Sequence, residues 1–151
     1  MEKYCAEVRS VDYAKIIAGL SSTISHQAAE VNEKIRLLES AKQQVTSERT
    51  LSMNDMSLVT NPELGEGWKG KRATSFDEQR ENAKEELKRI LHGEYEDYLS
   101  DIESAIVKLE SQQLLLNGLS FVATEASSLV HKGEEAAEEL HRKISHIRGR
   151  L

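Results

Sequence analysis

The sequence predicts an all-α fold: a long antiparallel helical hairpin with an extended C-terminal helix. Three observations predict it. Two long stretches carry apolar residues at spacings of mostly three, four or seven, the period of one helix face. Charged residues make up 30 % of the 151, aromatics only 5 %, and Pro62 is the sole proline. Such a composition suits long helices with a narrow apolar stripe better than a compact globule. One segment rich in turn formers separates the two stretches, as a hairpin requires.

The first arm is expected over about residues 2–50. Tyr13, Ile17, Leu20, Ile24, Ala28, Val31, Ile35, Leu38, Ala41 and Val45 form its stripe. A helix of this span is on the order of 60–70 Å long. Ser21, Ser22, Thr23 and Ser25 weaken its early part, because their side chains compete for backbone hydrogen bonds. A connector follows over about residues 51–72. Ser52, Asn54, Asp55, Ser57, Thr60 and Asn61 are turn or cap formers. Asn61-Pro62-Glu63 reads as a local helix start, with asparagine as cap and proline at the first position. Gly65, Gly67 and Gly70 then surround Trp68, which suits a backbone with unusual dihedrals.

The second arm, about residues 73–131, is expected to begin near Thr74 or Ser75. Its stripe runs through Phe76, Ala83, Leu87, Ile90, Tyr98, Ile102, Ala105, Leu109, Leu116, Leu119, Ala123, Ala126 and Val130. His92-Gly93-Glu94 predicts a bend, since glycine weakens a helix by about 1 kcal/mol relative to alanine. Gly118 and Gly133 are further weak points. A C-terminal extension over about residues 134–150 carries Ala137, Leu140, Ile144 and Ile147. All of this is read as one domain, 1–151.

The arms are unequal, so the stripe beyond Gly118 needs either another chain or a fold-back as a third helix. Two helices alone bury one face each and are marginal. A second chain completing a four-helix arrangement is the natural solution. The stripe read as partner-facing comprises Ile17, Leu20, Ile24, Val31, Ile35, Leu38, Leu87, Ile90, Tyr98, Ile102 and Leu109.

Net charge is -6, which disfavours nucleic acid as a partner. The basic runs, Lys69, Lys71 and Arg72 and then Arg142, Lys143, Arg148 and Arg150, read as solvated faces or helix C-termini. Cys5 is the only cysteine, so no intramolecular disulfide is expected, which suits a reducing compartment. Neither an ordinary signal peptide nor a membrane span is expected. His141 and His146 are five apart and do not share a helix face as a metal pair would. No metal, cofactor or catalytic residue is expected, and the chain reads as a binding protein rather than an enzyme.

Two aromatics invite attention. Trp68 is the sole tryptophan. It reads as a cap over the end of the helical seam, as an exposed partner anchor, or as both, with one ring face on each. Phe121 precedes Glu125 by four, one face of a helix. The pair reads as a seam residue followed by a surface carboxylate, or as a recognition motif.

Pro62-Glu63-Leu64, then Trp68-x-Gly70, Ala73, Phe76 and Arg80, resemble the WXG-type helical-hairpin superfamily of type VII secretion systems. The longer string is similar to the YwqH-like family, whose members lie beside LXG-domain polymorphic toxins in Gram-positive bacteria. The resemblance covers about residues 13–115, with its specific core at 59–80. It implies a non-enzymatic, chaperone-like targeting protein. Its partners would be the helical N-terminal LXG domain of a toxin, a second small helical accessory protein and, indirectly, the membrane ATPase of the secretion system. Trp68, Gly70, Ala73 and Phe76 would form the recognition turn. Phe121 and Glu125 match the aromatic-x-x-x-acid export pattern. The expected location is the cytoplasm, or export together with the partner. Two other functions stand beside this one: a self-associating exported WXG-type component or effector, and a plain structural coiled coil.

Overall fold

The computed structural model describes the chain from Glu2 to Leu151, with side chains described from Asp12 onward except that of Glu134. Helix α1 spans Glu2–Asp55, and a 3-10 turn follows at Met56–Thr60. Helix α2 spans Lys71–Arg89 and passes through a π turn, Ile90–Glu94, into α3, Tyr95–Leu129. Short 3-10 segments at Val130–Lys132 and Glu134–Ala136 lead to α4, Ala137–Arg148. There is no strand among the described residues, and the all-α hairpin class holds. The chain divides into two compact units, Met1–Ile35 with Lys108–Leu151, and Arg36–Val107.

The first unit is a three-helix bundle. Ile24 and Val31 of α1 meet Leu116, Leu119 and Ala123 of α3, and Ile147 of α4 closes the cluster. A second cluster joins Ile17, Ala126, Leu140 and Ile144. Gln113 Nε2 donates to Asn32 Oδ1 across the α1–α3 seam, which runs antiparallel. Leu140, Ile144 and Ile147 recur at four and three, so one face of α4 is wholly apolar and buried. The reversal that returns α4 to the bundle passes through Gly133 at φ +79°, a region that a side chain would strain. The surplus length of the second arm therefore needs no other chain, because it folds back as the third helix.

The second unit has a thinner seam. Leu91, Ile102 and Ile106 are its buried apolar residues among those described. Lys42 pairs with Glu103, and Arg49 with Glu96 at 2.7 Å, again antiparallel. The weak point at His92-Gly93-Glu94 takes the form of a π turn. Arg49 Nε donates to the Leu91 carbonyl inside that turn, at 2.7 Å. Arg89 bridges Glu86 at 2.6 Å and Glu94 at 2.9 Å. Hydrogen bonding from Arg89 holds the Glu86 carboxyl below its ordinary range. Arg49→Ala is expected to cost about 1–3 kcal/mol, read as a lower denaturation midpoint, because the Leu91 carbonyl loses its charged donor.

The π turn corrects the expected stripe. It inserts one residue into the helical repeat, so Tyr95 and Leu99 take half-buried positions while Tyr98 is 57 % exposed. The helix start also differs. Helix α2 begins at Lys71, ahead of Thr74, whose N–H and hydroxyl both donate to the Gly70 carbonyl. No helix starts at Asn61-Pro62-Glu63. Asn61 ends the 3-10 turn in extended conformation, as the residue before a proline prefers. Helix α1 runs five residues past the expected end, through Leu51 to Asp55.

Candidate partner-recognition site

The connector between α1 and α2 is irregular but tied down. Asn61 N–H donates to the Leu58 carbonyl, and Trp68 N–H donates to Gly65 at 2.9 Å, closing a tight turn over Gly65-Glu66-Gly67. Gly70, at φ +108°, then turns the chain into α2. Arg80 fastens this segment from the helix side. Its Nε donates to the Val59 carbonyl at 3.0 Å and its Nη2 to the Pro62 carbonyl at 2.9 Å. The guanidinium also stands 5.6 Å from the centre of the Phe76 ring. Only 10 % of the Arg80 side chain is exposed.

Fixed in this way, the turn presents its tryptophan outward. Trp68 is 66 % exposed, so it does not cap the seam. Trp68, Gly70 and Ala73 line one groove of about 720 Å³, together with Leu64 and the carboxylates of Asp77, Glu78 and Glu81. Phe76 is half exposed and belongs to the Arg80 contact instead of the groove lining. Three of the four residues expected in the recognition turn thus converge, and the fourth supports the clamp.

The Phe121–Glu125 pair lies in the first unit, with its expected burial reversed. Phe121 is 66 % exposed, because Val122 and Ala123 take the inward positions. Glu125 is half-buried and accepts a 2.8 Å hydrogen bond from Lys143 of α4. Phe121 is therefore not seam packing. Among the residues read as partner-facing, Ile17, Ile24, Val31 and Ile102 are buried in the chain's own core. Leu20, Ile35, Leu38, Leu87, Ile90 and Leu109 are half-buried. In the first unit Ile17, Leu20, Ile24, Val31, Ile35 and Leu109 form a folding seam, because α3 and α4 supply there the apolar surface that a second chain was expected to supply.

Leu114 went unnoticed in the sequence. It is exposed, seven residues before Phe121 on the same helix. The signal was present: residues 111–124 carry no charge in a chain that is 30 % charged, and three successive leucines cannot all face inward. Among the described residues no cluster of potential metal ligands occurs, and no helix is long and apolar enough to cross a membrane.

The chain is 32 % identical over 136 residues to Protein YwqH of Bacillus subtilis (strain 168), covering 90 % of this chain and 97 % of that protein. No family model matches it, and no solved structure does. An alignment of that extent takes in both helical arms and the Trp68 turn between them, so the chain belongs to the YwqH-like family.

Proposed function

We propose that this protein is a non-enzymatic, chaperone-like accessory protein. It binds the helical N-terminal LXG domain of a polymorphic toxin and helps present it to a type VII secretion system. A second small helical protein would join the complex, and the secretion ATPase would be met through it. The observation that carries the reading is the exposed Trp68 on a turn clamped by Arg80. A large aromatic held rigidly in water gains much by being covered and loses little entropy on binding. The protein would act in the cytoplasm or be exported together with its partner.

The test is co-expression with an LXG domain, followed by co-purification and titration. The intact chain is expected to form a complex of defined stoichiometry. Trp68→Ala is expected to weaken it by about thirtyfold or more, as at interface hot spots, with an unchanged helical spectrum because the ring is exposed. Absence of any complex with the intact chain would sink the proposal.

A second reading, self-association as an exported component, draws on the exposed Leu114 and Phe121. It predicts a concentration-dependent dimer without toxin, read by sedimentation.

A further inference from the structure

The groove beside Trp68 has a chemical polarity that the recognition role alone does not explain. Gly70, Ala73 and Asp77 recur along α2 at three and four, so a single helix face forms the floor. Trp68, Leu64 and Ala73 make one end apolar. Glu78 and Glu81 make the other end acidic, and neither carboxylate has an ion pair or hydrogen-bond partner among the described residues. Asp77 stands 3.8 Å from Arg80, whose guanidinium is committed to the Val59 and Pro62 carbonyls. Lys69 is the one cation in the lining, and it adjoins Trp68 in sequence, at the opposite end from Glu81. Two uncompensated carboxylates therefore face solvent in a concave surface, beside the chain's only tryptophan.

We infer that this groove binds a basic segment of the partner, one that carries an aliphatic residue followed by a lysine or arginine. The inference rests on the reading of the Trp68 turn as a recognition site and adds the chemistry of what it recognises. The aliphatic side chain covers Trp68 and Ala73. The cation reaches Glu78 and Glu81, which lie five and eight residues further along α2 than Ala73, or roughly 8–12 Å at 1.5 Å per residue. On a partner helix that distance is roughly five to eight residues. On an extended strand it is roughly two to four. A cation placed there gains charge-assisted hydrogen bonds to two carboxylates.

Trp68 makes the site its own reporter, since tryptophan emission from this chain comes from that residue alone. The probes are a 14-residue helical peptide of leucine and lysine and the same peptide with every lysine acetylated. The free peptide is expected to give a saturable blue shift of Trp68 emission that weakens with salt. Acetylation, or the double variant Glu78→Gln/Glu81→Gln, is expected to weaken binding by at least about tenfold. The variant Glu110→Gln/Glu135→Gln, which removes the same charge from exposed positions elsewhere, is expected to bind as the unaltered chain does. Equal binding by the Glu78/Glu81 variant overturns the inference, as does an equal loss in the Glu110/Glu135 variant. Co-purification with an LXG domain is a separate readout. A chain that captures no such domain, yet shows the groove-dependent selectivity for the lysine peptide, overturns the toxin reading and upholds the groove. Intact capture without that selectivity overturns the groove inference alone.

Discussion

Ile147→Asp is expected to detach α4 from the first unit and to lower its stability by several kcal/mol. Ile147 is fully buried and packs on Ile24, Val31, Leu116, Leu119 and Ala123. A carboxylate there would have no cationic partner in an otherwise apolar cluster, and leaving a charge buried and unpaired costs about 3–5 kcal/mol. The chain escapes that cost by undocking the helix. Helix α4 has only twelve residues, too few to stay helical alone in water. The variant should therefore lose helical signal in proportion, melt earlier, and become cleavable around residues 131–139. Ile147→Ala should cost about 2–5 kcal/mol by leaving a cavity, without ejecting the helix. Arg148→Asp, one residue further on and exposed, should leave the melt near that of the unaltered chain. If Ile147→Asp melts as the native chain does, the three-helix bundle is wrong.

The second large effect is expected from Arg80→Ala. Arg80 is a positioning residue: it holds the Val59 and Pro62 carbonyls and stands against Phe76. Hydrogen bonds from charged groups contribute about 1.5–3 kcal/mol, and here they are what tie the connector to α2. Their loss should raise hydrogen exchange between Val59 and Gly70 and lower the fluorescence anisotropy of Trp68, with a smaller change in the global melt. Partner affinity should fall towards that of Trp68→Ala. Arg80→Lys should rescue poorly, because one ammonium cannot reproduce the planar fork of a guanidinium. An Arg80→Ala variant with native anisotropy and native affinity would show that the clamp does not preorganise the turn.

The helical period alone revealed both arms, because a stripe repeating every three or four residues has few other ways to be buried. Of the two further glycine weak points, Gly133 is a break, whereas α3 continues through Gly118. The period could not say whether the last helix would meet its own chain or another, since the apolar face of α4 is the same in either case. The π turn was hidden. Nothing in Ile90-Leu91-His92-Gly93-Glu94 announces a widened turn, and that one extra residue was enough to put Tyr98 on the wrong face. Phe121 was misplaced for a related reason. Three adjacent apolar residues, Phe121, Val122 and Ala123, compete for the inward position, and only packing against α1 decides among them. At the site, Trp68, Gly70 and Ala73 were legible as a cluster in sequence. The role of Arg80 was not, because its partners are backbone carbonyls eighteen and twenty-one residues away.

The thin seam of the second unit has a consequence for the life of the protein in a cell. With Leu91, Ile102 and Ile106 as its buried apolar residues, that unit opens more readily than one with a dense core, and segments that open readily are the ones proteases cut. Under the proposed partnership, proteolysis would act as a census of bound copies. If the proposed partner covers the Trp68 turn, a bound copy would be spared by mass action and an unbound copy would be degraded sooner. The abundance of the protein would thereby follow that of its partner, with no need for the two genes to be expressed in fixed proportion.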